Sequence, residues 1–186
     1  LRIAPKERGE GFEFVNEIVG GVIPTKFIPS VEKGVVEAML EGPLSSSQVI
    51  DVQVTVYYGS YHSVDSSDMA FKNAAKLAFA NVFEKADPYL LEPVYSLEIM
   101  VTDEFTGDVM GDISSRRGKI QGMEPKGKFQ IIKAQVPQSE LYKYSTFLRS
   151  ITQGTGVYKR EFSHYERVPH EIQQKVIAEN KKEAEE

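Results

Sequence analysis

The sequence contains no cysteine, which excludes disulfides, thiolate metal sites and cysteine nucleophiles. Its three histidines, His62, His164 and His170, are too scattered to define a metal site, so no metal is expected. No G-x-x-x-x-G-K-[ST] run occurs, so the chain has no P-loop and should not hydrolyse nucleotides. No apolar run approaches a membrane span and no signal peptide opens the chain. The expected location is therefore the cytoplasm, with no membrane partner. A cationic surplus is also missing. The 22 Lys and Arg stand against 27 Asp and Glu, a net charge of −5, which argues against a generic nucleic-acid binder.

What is present is ordinary soluble-protein composition: 186 residues, 41% hydrophobic and 26% charged, enough for one large or two small domains. The first residue is Leu1, inside a strand-like run, so a piece of a longer protein is expected. Charge is unevenly spread. Residues 113–133 carry Arg116, Arg117, Lys119, Lys126, Lys128 and Lys133 against Glu124 alone. Such a local cationic face can bind RNA at a defined place, and a solvated charged hairpin explains it equally well.

Periodicity divides the chain. In residues 1–88 we expect strands at 1–4, 12–18 and 48–57, the last from Ile50, Val52, Val54 and Val56 alternating with polar residues. A helix follows Pro29, with a stripe of Val31, Val35 and Ala38/Met39 ended by Gly42-Pro43. A second helix spans 66–85 on Phe71, Ala74, Ala75, Ala78 and Val82. Residues 89–168 open with a strand on Tyr95, Leu97, Ile99 and Val101 and a helix on Phe105, Val109 and Ile113 that closes at Arg116-Arg117-Gly118. Strands at 119–124 and 128–136, a helix capped by Ser139 with Leu141, Tyr144/Ser145 and Leu148 on its face, and a strand at 157–167 complete it. That β-α-β-β-α-β order predicts a ferredoxin-like sandwich. The fold class is α+β with two domains, and a polar tail at 169–186 is helical near its start and frayed beyond.

Between the third strand and the second helix of the first domain lies an aromatic, hydroxyl-rich loop. Tyr57, Tyr58, Tyr61 and His62 offer flat faces for unpaired bases, Ser60 and Ser63 offer hydroxyls, and 58–64 holds no acid. Asp65 and Ser66 suit a helix N-cap, with Asp68 in the first turn. A hydrolase using His62, Asp65 and Ser66 or Ser67 competes with this reading, but the capping roles already explain Asp65 and Ser66. Spacing leaves RNA contact and an ordinary surface loop both open.

Several runs resemble bacterial elongation factor G, in that family's order over residues 1 to about 177. They are Gly-Phe-Glu-Phe-Val-Asn (11–16), Gly-Gly-Val-Ile-Pro (20–24), Gly-Ser-Tyr-His-x-Val-Asp-Ser-Ser-x-Met-Ala-Phe-Lys (59–72), Leu-Leu-Glu-Pro (90–93) and Gly-Asp-Val-Met-Gly-Asp-Ile (107–113). To these are added Arg-Arg-Gly-Lys-Ile-x-Gly-Met-Glu (116–124), Leu-Arg-Ser-x-Thr-Gln-Gly (148–154) and His-Tyr-Glu-x-Val-Pro (164–169). The resemblance implies a C-terminal piece. Residues 1–88 would be the fourth domain without its earliest strand, with a ribosomal protein S5 domain 2-like fold and a left-handed crossover, and 89–168 the ferredoxin-like fifth. It implies that the chain contacts the ribosome, with tRNA and mRNA at Tyr58, Gly59, Ser60, Tyr61, His62 and Ser63, and at a second tip loop through Lys6, Arg8 and Gly11. Arg116, Arg117 and Lys119 would contact large-subunit rRNA near the stalk-base proteins. The chain would act as a monomer and without catalytic residues, GTP and Mg belonging to a GTPase domain outside it. Tyr58 and Ser63 stand where acids are frequent, Tyr142-Lys143 replaces the usual Phe-Gly, and Thr155 replaces a common Arg. These departures resemble a diverged second copy, whose role would be translocation or, alternatively, ribosome recycling, protection or stress.

Overall fold

The computed structural model describes residues 1–185, with side chains through Asn180. The chain forms two compact units, one from residues 1–88 plus the chain from His170 onward, the other from residues 89–169.

In the first unit, β1 (Arg2–Pro5), β2 (Glu13–Asn16), α1 (Ile28–Glu41), β3 (Val52–Val56) and α2 (Asp68–Glu84) follow one another, and a short 3-10 turn, Thr25–Phe27, leads into α1. Strand β3 is central, antiparallel to β1 and parallel to β2, with Ile3 and Phe14 both opposite Val54. Its alternation turns Val52, Val54 and Val56 onto Val31, Val35, Ala38 and Met39 of α1 and Phe71, Ala75 and Phe79 of α2. Each large apolar side chain among them contributes about 1.5–3 kcal/mol by leaving water. The helices run parallel. Ser30 Oγ donates to Asp68 Oδ1, Lys72 pairs with Glu37, and Lys76 pairs with Glu41, so the partner numbers rise together along both helices. They touch closely at Gly34, where a Cβ would lie 2.2 Å from the Lys72 carbonyl oxygen.

Three local expectations change here. Strand β3 begins at Val52 and not at 48, because Asp51 adopts φ 54° and breaks the extended run. Helix α2 begins at Asp68, with Ser67 as its cap accepting the Ala70 amide; Asp65 and Ser66 precede it in a turn. Its buried face is Phe71, Ala75 and Phe79, with Ala74 turned outward.

The second unit contains β4 (Leu91–Thr102), α3 (Thr106–Ser115), β5 (Lys119–Lys126), β6 (Phe129–Pro137), α4 (Tyr144–Ile151) and β7 (Val157–Arg167), with 3-10 turns at Asp103–Phe105 and Gln138–Leu141. The sheet order is β5-β6-β4-β7 with every neighbour antiparallel, the expected ferredoxin-like arrangement. Leu97, Ile99, Val101, Ile132, Ala134 and Val136 cover one sheet face and meet Val109, Ile113, Tyr144 and Leu148 from the helices. Pro125 is tolerated because β5 lies at the sheet edge. Ser139 is not a helix cap: α4 starts later, after Lys143, which takes the left-handed conformation at φ 52°. At the end of α3 the left-handed residue is Arg117, φ 57°. Gly118 donates back to the Ile113 carbonyl, and Gly118 has no room for a Cβ, which would lie 2.5 Å from Ile113 Cγ2.

The chain then re-enters the first unit as α5 (His170–Glu185), where Asn180 Nδ2 donates to the Ser45 carbonyl. The side chains of 181–186, where fraying is expected, lie outside the described residues. No described helix is long and apolar enough to cross a membrane.

Candidate nucleic-acid interface

Loop 57–67 leaves β3 at the end where α1 and α2 begin. Its conformation is set by contacts with the segment before α1. Tyr61 leans on Phe27, ring centroids 5.9 Å apart, and Phe27 stacks on Phe71 at 4.7 Å. Gly59 lets the chain pass Ile23, whose Cδ1 would be 2.4 Å from a Cβ there. Beyond Tyr61 the loop closes on itself. The His62 amide donates to Ser66 Oγ at 3.0 Å, and the Ser66 and Asp65 amides donate to the His62 carbonyl at 3.0 and 3.3 Å. The His62 backbone is therefore held from both sides while its imidazole faces solvent.

This arrangement argues against the hydrolase. Ser66 Oγ accepts from the His62 backbone and Ser67 Oγ accepts from Ala70. Among the described residues the imidazole has no hydrogen bond to either hydroxyl or to Asp65, and the dyad such chemistry requires is not assembled. What the loop presents outward is Tyr58, 70% exposed, with Ser60, His62, Ser63 and Val64. Tyr61 is half committed to Phe27. Lys26 and Arg2, which sequence reasoning passed over, also lie at this end, Arg2 in an ion pair with Glu17 at 3.4 Å. The Arg2 guanidinium lies 5.2 Å from the Tyr57 ring centroid and Lys26 Nζ 4.7 Å from that of Phe27. A basic residue beside an aromatic one would have been the available signal for Lys26; Arg2 becomes visible only through the β1–β3 pairing.

The second expected tip loop is elsewhere. Lys6, Arg8 and Gly11 follow Pro5, which pairs with Val52, and precede Glu13, which pairs with Gln53. They lie where β3 starts, whereas His62 lies in the loop that leaves its other end. Five residues at about 3.3 Å each separate the two ends, so Lys6, Arg8 and Gly11 do not share the tip with His62. Their loop is organised around Asp51, only 7% exposed. Its Oδ1 accepts the Gly9 and Gly11 amides at 3.1 and 2.9 Å, and Oδ2 meets Arg8 Nη1 at 3.4 Å. Burial pushes this carboxyl upward, but the Gly11 and Gly9 amides and the Arg8 charge outweigh it and hold its pKa below the ordinary value.

A carboxyl depressed in the folded state stabilises it above the unfolded pKa, near 4, and that contribution is lost as pH falls through the folded pKa. Asp51→Asn therefore costs about 1–3 kcal/mol at pH 7, the range for leaving buried hydrogen-bond partners poorly matched. Urea denaturation at pH 7 and pH 3 checks this, with the gap between wild type and variant narrowing at the lower pH.

In the second unit, the cationic face of 113–133 is largely neutralised within the fold. Arg117 makes a bidentate pair with Glu92 at 2.6 and 2.9 Å and reaches Glu140 at 2.9 Å. Arg116 pairs with Asp112, donates to the Glu140 carbonyl and lies over Tyr144 and Phe147. Lys119 meets Glu166 and Lys133 meets Glu124, both at 2.6 Å. Glu92, Glu140 and Glu166 lie far from these cations in sequence, so local counting overestimated the free charge. Arg116 and Arg117 join the end of α3 to β4 and the 138–141 turn, and they offer RNA little more than their edges. Among the described residues, no group of three or more His, Asp or Glu is gathered as metal ligands.

Comparison with known proteins agrees with both units. The family model described as elongation factor G, domain IV, matches residues 1–87, and the one described as elongation factor G C-terminus matches 89–176. These matches place both units among the domains of a translation elongation factor family. Elongation factor G of Aquifex pyrophilus is 53% identical over 179 residues, covering 96% of this chain and 26% of that protein. The crystal structure of ttk003000868 from Thermus thermophilus superimposes with a TM-score of 0.80 at 42% identity, over 97% of this chain and 27% of that one. The chain belongs to the elongation factor G family. It spans about a quarter of the length of the relatives it matches.

Proposed function

We propose that the tip formed by Tyr58, Gly59, Ser60, Tyr61, His62 and Ser63 contacts the tRNA–mRNA pair in the decoding centre of the small ribosomal subunit during translocation. It acts by stacking and hydrogen bonding, without proton transfer. The observation that carries this reading is the clamp on His62: a fixed backbone with a free imidazole, beside an exposed Tyr58, is built for recognition. The two parallel helices whose N-termini face the same end add a field that favours phosphate.

In this reading the chain works as the C-terminal part of a whole factor. GTP and Mg are bound and hydrolysis is performed by a domain outside it, and the second unit contacts large-subunit RNA and stalk-base proteins. The factor acts as a monomer in the cytoplasm. Single-round movement of tRNA and mRNA by the whole factor, measured beside its GTP hydrolysis, is the test. A second reading, a paralogue that binds ribosomes in recycling, protection or stress, is favoured by one observation. Lys143 occupies a left-handed position where the family usually has glycine, a change of side chain kept despite an unfavourable backbone. Ribosome binding without movement would select that reading.

A further inference from the structure

We propose that a groove beside the start of α4 binds unpaired nucleotides of an RNA, with Lys143 and Arg160 on the phosphates and Tyr142 as the stacking surface. It rests on the reading that the second unit meets ribosomal RNA, and it replaces Arg116 and Arg117 as the contact.

The groove has a volume of ≈ 540 Å³, and Glu92, Ser139, Tyr142, Lys143 and Arg160 are among its lining residues. Its cations differ from those that the fold neutralises. Arg116, Arg117, Lys119, Lys133 and Lys159 all have carboxylate partners. Among the described residues Lys143 and Arg160 have none, and each instead lies over an aromatic ring. Lys143 Nζ is 5.1 Å from the Tyr142 ring centroid and the Arg160 guanidinium is 5.3 Å from that of Tyr95. The groove's own carboxylate, Glu92, is held bidentate by Arg117, which also donates to Ser139. A phosphate entering the groove therefore meets two free cations and a neutralised acid.

The aromatic surface favours unpaired bases. Tyr142 is 76% exposed, and Phe162, itself half exposed, meets Tyr95 edge-on at 6.1 Å. A base inside a duplex has no free face for such rings, whereas a looped-out base does. The open face of the sheet carries one such pair at its end, where Lys128 Nζ lies 5.3 Å from the ring centroid of Phe129. Its central outward positions, Ser96, Glu98, Met100, Ile131, Lys133 and Gln135, alternate with the buried ones and carry no aromatic side chain. Their charges are matched by Glu98–Lys159 and Glu124–Lys133 pairs. Stacking on these sheet positions, as in many ferredoxin-like RNA binders, is therefore not available here.

The test is fluorescence anisotropy of the full chain with a labelled 12-nucleotide single-stranded RNA and with its blunt duplex, for wild type, Tyr142→Ala, Lys143→Gly, Arg160→Gln and His62→Ala. Lys143→Gly gives the left-handed position its preferred residue, so lost binding in that variant does not come from lost folding. Each groove variant is expected to weaken single-strand binding about 5–10-fold. The Lys143 and Arg160 variants should also each lower the slope of log affinity against log salt by about 0.7. Unchanged affinity in all three overturns the proposal, as does equally tight binding of duplex and single strand. Unchanged RNA affinity with weakened binding to whole ribosomes assigns the groove to a protein partner and also overturns it. Weakening by His62→Ala alone overturns the groove and leaves the tip reading standing. Weakening by the groove variants supports the groove even where His62→Ala has no effect on movement of tRNA and mRNA.

Discussion

Replacing His62 by alanine in the whole factor slows single-round tRNA–mRNA movement by roughly ten-fold or more, while ribosome-stimulated GTP hydrolysis stays within about two-fold. The size follows from the contact invoked: loss of one base–aromatic stack costs about 1–3 kcal/mol, or roughly 5–150-fold. The selectivity follows from the geometry. The turn holds His62 through its backbone amide and carbonyl, and Ser67 caps α2 through its own hydroxyl, so the substitution leaves the loop's shape in place. Only the exposed ring is removed. Rapid-kinetic measurement of movement and phosphate release on the same preparation separates the two effects. Equal loss of both would mean that the ring acts on ribosome engagement or hydrolysis.

Gly34→Ala is expected to damage the fold of the first unit. In the middle of a helix this change usually stabilises, by about 0.8–1 kcal/mol. Here the new methyl would sit 2.2 Å from the Lys72 carbonyl oxygen and 3.0 Å from Ala75 Cβ. A backbone atom cannot rotate aside, so the parallel pair α1 and α2 must part, and Phe79 and Val35, both fully buried, lose contact. Overpacking of this kind typically costs about 1–3 kcal/mol and occasionally more, so a net loss near the top of that range is expected. Gly111 in α3 supplies the control, because nothing lies within 4 Å of a Cβ there. Gly111→Ala should gain a few tenths to about 1 kcal/mol. Urea denaturation of both variants should show shifts of opposite sign.

Much of the architecture was legible because its causes are local. The alternation of Leu97, Ile99 and Val101 is a strand packed on one face, and all three are essentially inaccessible. The stripe of Val31, Val35, Ala38 and Met39 is the buried face of α1. What sequence reasoning missed depends on residues that meet from a distance. The positive φ of Asp51 is compensated by amides 40 and 42 residues away, and no run of hydrophobicity announces it. The assignment of Lys6, Arg8 and Gly11 to the tip failed on strand register, which decides at which end of β3 a loop emerges. Arg116 and Arg117 were read as free charge because Glu92 and Glu140 lie 25 and 23 residues away from Arg117 in sequence. Within the tip, the residue types were legible, but the Ser66–His62 clamp and the Phe27 support for Tyr61 were not.

The absence of cysteine allows the most direct measurement of the central claim, that the loop at His62 touches the tRNA–mRNA pair. Ser63→Cys places a single thiol in the exposed tip, where a short photoactivatable crosslinker can be attached in the whole factor after any thiols outside this chain are removed. On ribosomes arrested during translocation, the account predicts crosslinks from position 63 to tRNA, mRNA or decoding-centre RNA of the small subunit. Crosslinks confined to large-subunit components or to protein alone, with the factor bound and active, would contradict it.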